Sequence, residues 1–414
     1  MLLLLATVCL VCWSSFFWLQ ALYLSLLECL FAWINQELGR YTRREQAARR
    51  SSQDLEEAFE PGATGDGPSG PNKSSSSSPV IKSRLVRRVE QMSSLVSLGL
   101  ELILEDEVTP HFVAAPVPHG QWNLLTRNLG QLVGELHWRL RLVWLLGWLT
   151  RYVLLLPLRT LAAWASLFLT SVIAAVLGQL PESHLKQLLV EQVLRQCFRI
   201  MAGCLPIIRR FHNPEHRPTR GICVCNHTSP LDVLVLMSDA HYTVTGQIHD
   251  GIIGVFQRAL SRVSPQMWFD RGQLGDREAL KLILRRHSGS ADRPPILLFP
   301  EGTCINNTAV MQFRKGAFAV SDVVYPLAIS YDRRFSEAFW NSSRHSMLRY
   351  MFMLVSSWCT ACDVWYMEPL RRRGNESPVE FSNRVKAAIA AQANIDSLPW
   401  DGNLKRRSPV RDWL

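Results

Sequence analysis

Two side chains able to move a proton stand five residues apart in Cys225-Asn-His-Thr-Ser-Pro-Leu-Asp232: the imidazole of His227 and the carboxylate of Asp232. A carboxylate beside an imidazole can hold the ring in one tautomer. It also stabilises the imidazolium formed when the ring takes a proton from an attacking hydroxyl or water. The bland alternative is a surface imidazole beside a helix-capping carboxylate, and on this spacing alone it is the commoner case.

For the pair to meet, the chain must turn between them. Gly221-Ile-Cys-Val-Cys225 reads as a short buried strand, and Leu231 to Ser238 as a helix. Ser229 is the expected N-cap, and Pro230 suits the first helical turn, where a missing N–H is no loss. His227 then lies on the turn and Asp232 inside the first helical turn. Open α/β folds carry reactive groups at such strand ends.

Three later stretches offer similar chemistry. Trp268-Phe269-Asp270-Arg271 ends a strand with a guanidinium, a fork suited to phosphate. A strand-end Arg is more often structural or solvated. Phe299-Pro300-Glu301-Gly302-Thr303 follows another strand; Gly302 permits a tight turn and close approach of a ligand to backbone N–H groups. Glu301 can accept hydrogen bonds from substrate hydroxyls, or pair with a cation such as Arg271. Gln312-Phe313-Arg314-Lys315-Gly316 opens a helix where two cations could hold an anion, with a basic solvated turn as the equal alternative. Val324-Tyr325-Pro326-Leu327-Ala328-Ile329 is a strand with an internal proline, which suggests an edge or bulge.

The chain has 414 residues, 48% of them hydrophobic, and a net charge of +10. That charge favours anionic partners, phosphate-bearing substrates or acidic membrane surfaces. No basic stretch is interleaved with aromatics, so nucleic acid is not expected as a partner. The ten cysteines do not form a disulfide-like framework. Cys359-Thr-Ala-Cys362 has no second pair to complete a zinc site, and no metal is expected.

Residues 1–34 read as an N-terminal membrane anchor: Met1 to Leu27 is uncharged and long enough to cross a bilayer. Arg40, Arg43, Arg44, Arg49 and Arg50 follow and place the downstream side in the cytosol. Residues 35–139 read as a cytosolic linker, with Gly, Pro and Ser crowded into 60–79 and an amphipathic helix over Lys82 to Leu104. Residues 140–180 are expected to form a membrane-embedded hairpin or two spans, because Arg151, Pro157 and Arg159 interrupt the apolar run. From residue 181 to 400 amphipathic helices alternate with short strands, the pattern of an α/β domain with a mixed sheet flanked by helices. Strands are expected at Gly221–Cys225, Tyr242–Thr245, Met267–Phe269, Ile296–Phe299, Val323–Ile329 and Asp363–Tyr366. Residues 401–414 form a tail.

The order of these stretches resembles the membrane-bound glycerolipid acyltransferase family, whose four blocks run NHxSxxD, GxxFxDR, FPEGT and a proline-containing apolar strand. Asn226 to Asp232 matches the first block fully, and Phe299 to Thr303 the third. The second is partial, with Pro265 and Trp268 in place of Gly and Phe but Asp270 and Arg271 kept; the fourth keeps Pro326. Phe299-Pro-Glu-Gly-Thr-Cys-Ile-Asn-Asn-Thr308, Ala338-Phe-Trp-Asn-Ser-Ser343, Cys362-Asp-Val-Trp-Tyr-Met367 and Leu398-Pro-Trp-Asp-Gly402 are similar to its microsomal glycerol-3-phosphate acyltransferase branch, types 3 and 4. The resemblance implies acyl transfer from acyl-CoA to the sn-1 hydroxyl of glycerol 3-phosphate, giving lysophosphatidic acid and CoA. It implies His227 as general base and Asp232 as its partner. Asn226, Ser229, Arg271, Glu301, Gly302, Thr303 and Lys315 would contact substrate. It implies the endoplasmic reticulum membrane, with lipid droplets as a further location, a cytosolic catalytic domain and no cofactor beyond the acyl-CoA co-substrate. The alternatives are acylation of lysophosphatidic acid, thioester hydrolysis, and an inactive membrane scaffold.

Overall fold

The computed structural model describes residues 17–58, 89, 92, 93, 95, 96, 108–115, 138–248, 251–269, 277–290, 293–402 and 404. Arg271, residues 1–16 of the expected anchor, the Ser-rich stretch at 60–79, most of the expected helix at 82–104 and nearly all of the tail lie outside the described residues. The chain divides into two units, Met1–Asn35 with His111–Leu414, and Gln36–Pro110. In the second, the described residues include the later turns of helix α1 (Phe17–Ala58), where Glu37 and Arg40 pair at 2.6 Å. The helix therefore runs on past residue 34, where the anchor was expected to end.

In the first unit, one face of α1 is buried through Leu27, Phe31 and Ile34. Phe31 meets Phe335 edge-on at 5.4 Å, and the Tyr23 hydroxyl donates to the Trp358 carbonyl at 3.0 Å.

The expected hairpin or pair of spans over 140–180 is not formed. Trp138–Leu149 (α2), a π-turn at Thr150–Leu155 and Leu156–Leu177 (α3) run on as one helix of 40 residues. The interruptions that suggested a reversal are absorbed locally. Pro157 follows the wider π-turn, in which the Leu156 N–H reaches back to the Arg151 carbonyl, and so sits at a helix start that tolerates it. The Arg151 guanidinium lies over the rings of Tyr152 at 5.1 Å and Trp358 at 6.0 Å. Arg159 donates to the carbonyls of Val355, Ser357 and Trp358 at 3.2, 2.6 and 3.3 Å. The inner face of α3 buries Ala162, Ser166, Thr170, Ala174 and Leu177; the outer face exposes Leu161, Phe168, Leu169 and Val176. Among the described residues this is the one helix long and apolar enough to cross a membrane.

Helix α4 (His184–Cys204) follows, its N-terminus capped by the Ser183 hydroxyl. Then come β1 (Ile207–His212), β2 (Ile222–Cys225), α5 (Leu231–Met237), β3 (Thr243–Gln247), α6 (Gly251–Ser261), β4 (Met267–Phe269), α7 (Arg277–Ser288), β5 (Ile296–Leu298), β6 (Ala309–Val310), α8 (Gly316–Val320), β7 (Val323–Asp332), α9 (Met347–Val355), β8 (Thr360–Tyr366), β9 (Leu370–Arg371), α10 (Pro378–Ala393) and β10 (Asp396–Ser397). The main sheet runs β1-β8-β7-β2-β5-β3-β4, with β9 added to β7. It is mixed: β7 pairs antiparallel with β8 and β9, and the remaining pairs are parallel.

Alternation along the strands loads both faces. Cys223 and Cys225 of β2 and Leu327, Ile329 and Tyr331 of β7 pack with Leu194 of α4 and Val235 of α5. Ile222, Val224, Val324 and Ala328 pack with Leu284 of α7, Phe318 of α8 and Phe381 and Ile389 of α10 on the other face. The result is a mixed sheet between two helical layers, as the alternation of elements predicts. β2 is central, with Ile222 in register with both Ile296 of β5 and Val324 of β7. Of the edge or bulge expected for the proline strand, the edge is not seen: β7 lies inside the sheet, and Pro326 sits beside Val224.

Candidate active site

β2 ends at Cys225 and α5 begins at Leu231, so five residues make the turn that carries the imidazole. Asn226 fixes where the turn starts. Its side-chain N–H donates to the Ile329 carbonyl at 2.8 Å, and its oxygen accepts from the Ile329 N–H at 2.9 Å. That pair bolts the end of β2 to β7. The helix boundary falls at Pro230 rather than at the expected Ser229, whose hydroxyl accepts from the Leu231 N–H at 3.3 Å.

Asp232 turns back over this loop. Its Oδ2 accepts from the Thr228 N–H at 2.7 Å and the Ser229 N–H at 3.0 Å, and lies 2.8 Å from His227 Nδ1. Its Oδ1 accepts from the Tyr331 hydroxyl at 2.6 Å. Its other three partners, the Thr228 and Ser229 N–H groups and the Tyr331 hydroxyl, all donate to this buried carboxylate, so it faces Nδ1 as an acceptor. The network therefore assigns the ring proton to Nδ1 and leaves the lone pair on Nε2, the atom that can take a proton from a substrate. The ring also stacks on Phe299, centroids 4.2 Å apart. Burial alone would pull the imidazole down; Cys304 and Asp232 outweigh it and hold the imidazole well above its ordinary range.

The loop after β5 closes over the pair. Glu301 accepts from the His227 N–H at 2.7 Å with Oε1 and from the Met311 N–H at 2.9 Å with Oε2. Burial pushes its carboxyl up to about 8, against the pull of those two N–H groups. Glu301 is 1% exposed, so it braces the loop; the expected hydrogen bond to a substrate hydroxyl has no exposed oxygen to reach. Gly302 has φ +68°, and a Cβ there would come within 2.8 Å of the Arg314 guanidinium carbon. Thr303 packs against Gly402, where an added Cβ would stand 2.5 Å from its methyl. Cys304 then places Sγ 3.4 Å from His227 Nε2, and the Ile305 N–H donates to the His227 carbonyl at 2.9 Å. Asn307, at φ +61°, donates to Thr228 Oγ1 and the Ile329 carbonyl and accepts from the Tyr331 N–H.

The structure thus joins His227, Asp232, Glu301, Gly302 and Cys304 at the ends of β2 and β5. Asn226 and Ser229, both expected to contact substrate, are buried structural residues of the turn. Lys315 is exposed at the N-cap of α8, and its neighbour Arg314 is the cation that lies against Gly302. Arg271 lies outside the described residues. Sequence reasoning passed over Tyr331 and Asn307, whose contacts with the turn are long-range, and gave no role to Cys304.

A family model described as Acyltransferase matches residues 208–330, the stretch from β1 to β7. Glycerol-3-phosphate acyltransferase 3 of Mus musculus is 46% identical over 317 residues, covering 76% of this chain and 71% of its own. Glycerol-3-phosphate acyltransferase 4 of Homo sapiens is 39% identical over 403 residues, covering 96% and 86%. Among solved structures, the 1-acyl-sn-glycerophosphate (LPA) acyltransferase of Thermotoga maritima matches with a TM-score of 0.44 and 14% identity, over 63% of this chain and 98% of its own.

Proposed function

This chain belongs to the glycerol-3-phosphate acyltransferase 3 and 4 family, and from that premise we propose that His227 is the base with which it acylates glycerol 3-phosphate. It is an acyltransferase, and glycerol 3-phosphate is its acceptor. The observation that carries the role of His227 is the 2.8 Å pairing of Nδ1 with a buried carboxylate, which leaves Nε2 to work as base.

The reaction runs by direct attack. Nε2 takes the proton of the sn-1 hydroxyl while its oxygen adds to the thioester carbonyl of acyl-CoA. Asp232 stabilises the imidazolium. The C–S bond breaks, the CoA sulfur takes the proton back, and lysophosphatidic acid leaves. The step as written needs no metal and no redox cofactor. Arg314, exposed beside Gly302, supplies the charge for the acceptor's phosphate, with Lys315 next to it.

The outer face of the Trp138–Leu177 helix meets lipid, since a row of exposed Leu, Val and Phe side chains is costly in water. The helix is about 60 Å long at 1.5 Å per residue, roughly twice the hydrocarbon thickness of a bilayer. Its inner face supports the acyltransferase fold while the outer one dissolves in the membrane. We place the protein in the endoplasmic reticulum membrane with the active site on the cytosolic side.

An acyl-CoA consumption assay over a panel of acceptors tests the reading. Glycerol 3-phosphate gives the fastest CoA release. Preference for lysophosphatidic acid, or release that is independent of any acceptor, refutes it.

A further inference from the structure

A thiol sits on the nitrogen that the proposed reaction needs. Cys304 Sγ lies 3.4 Å from His227 Nε2, on the side of the ring opposite Asp232. Read in order, Cys304, His227 and Asp232 form a thiol–imidazole–carboxylate chain, the arrangement that activates a sulfur nucleophile. The loop that carries the thiol is fixed to the loop that carries the ring: the Ile305 N–H donates to the His227 carbonyl, and Asn307 holds Thr228. The contact is therefore built by the backbone on both sides.

The surroundings set Cys304 apart from the other thiols of the sheet. Cys223, Cys225, Cys359 and Cys362 are buried, and burial pushes each thiol up, to about 12 for Cys359 and Cys362. Such thiols are inert. Cys304 is partly exposed and has an imidazole in contact.

We propose that Cys304 is an acyl-accepting site: with no glycerol 3-phosphate bound, the His227 base turns on the Cys304 thiol, which takes the acyl group from acyl-CoA. The inference rests on His227 being the base of the proposed reaction. Nε2 removes the thiol proton, and the Cys304 sulfur adds to the thioester carbonyl. The bond from that carbonyl to the CoA sulfur breaks, and the CoA thiolate takes the proton from the imidazolium. One thioester replaces another, with no oxidant, reductant or further reactant. When glycerol 3-phosphate is bound, its hydroxyl takes Nε2 in place of Sγ and the direct route runs instead. The acceptor thus decides which nucleophile the base serves.

The test incubates the full-length protein in detergent micelles with radiolabelled palmitoyl-CoA, with and without glycerol 3-phosphate. Bound label is released with neutral hydroxylamine and the acylated peptide is located by mass spectrometry. The proposal expects hydroxylamine-labile label on the Cys304 peptide, suppressed when glycerol 3-phosphate is added. Cys304→Ala and His227→Ala should both bring the label to background. Label on another cysteine, label that persists in Cys304→Ala, or label that does not respond to glycerol 3-phosphate overturns it. So does a protein that acylates glycerol 3-phosphate yet never carries label; that outcome leaves the transferase reading standing. A protein that acylates no acceptor at all refutes the transferase reading itself. Mapping the wild-type peptide keeps the result readable if either variant folds poorly.

Discussion

The Tyr331 hydroxyl donates a 2.6 Å hydrogen bond to Oδ1 of Asp232, across 99 residues of sequence. It joins the middle of the sheet to the carboxylate that pairs with the His227 ring. Tyr331 is 6% exposed, so no water replaces the bond when it is removed. Losing a hydrogen bond to a charged group costs about 1.5–3 kcal/mol. Tyr331→Phe should therefore lower kcat roughly tenfold or more, with KM for glycerol 3-phosphate little changed. The freed carboxylate attracts the imidazolium more strongly, so the acidic limb of the pH–rate profile should move to higher pH. A fall in melting temperature alone, with an unmoved pH profile, would reduce Tyr331 to packing.

The pH dependence of the parent protein follows from His227. The imidazole is held well above its usual range, because the raising effects of Cys304 and Asp232 exceed the lowering effect of burial. Only the neutral ring accepts a proton, and it exists above that pKa. Activity should climb with pH, with the acidic limb above the ordinary imidazole value of about 6.5. Asp232→Asn removes one raising partner and should shift the limb downward while cutting the rate. A limb at or below the ordinary value in the parent contradicts the geometry.

Glu301 and Arg314 should separate into different kinetic classes. Glu301→Ala leaves the His227 and Met311 N–H groups without their acceptor. Each buried unsatisfied group costs about 1–3 kcal/mol, so the melting temperature and kcat should fall together. Arg314→Ala should instead raise KM for glycerol 3-phosphate, by about tenfold or more for a phosphate contact of 1.5–3 kcal/mol, and leave the melting temperature nearly unchanged. A KM-only effect at Glu301 would return it to the substrate-binding role that the sequence suggested.

Gly302→Ala places a Cβ at φ +68° and within 2.8 Å of the Arg314 guanidinium. The backbone conformation alone costs about 1–2 kcal/mol for a side chain. The substitution should lower stability and raise KM for glycerol 3-phosphate together, because the loop and the cation must both shift. Differential scanning fluorimetry and steady-state kinetics on one preparation check both.

Much of this was legible in the sequence where local pattern decides. The strand before His227, the helix after it and the alternation downstream of residue 181 were readable because burial imposes periods that the residues carry. The expected strand at Met267–Phe269 matches β4 to the residue. The strand Ile207–His212 was not readable: Ile-Ile-Arg-Arg-Phe-His lacks alternation, and its place is set by pairing with β8, about 150 residues away. The reversal expected at 140–180 failed for a similar reason. Arg151 and Arg159 look like obstacles in a linear string, and only the folded chain supplies the rings of Tyr152 and Trp358 and the carbonyls of 355–358. At the site, the histidine and aspartate were visible because they stand five residues apart, one on the turn and one in the first turn of the helix that follows it. Tyr331, Asn307 and the approach of Cys304 depend on contacts that no local spacing encodes.

In the proposed reaction everything turns on the His227 imidazole taking the proton of the acceptor hydroxyl. CoA release with saturating acyl-CoA and glycerol 3-phosphate, measured for the parent and His227→Ala at equal melting temperature, tests it most directly. Loss of a positioned base predicts a fall of about 10²–10⁴ in rate. A variant that retains the parent rate within a few-fold would contradict it and move the chemistry elsewhere in the chain.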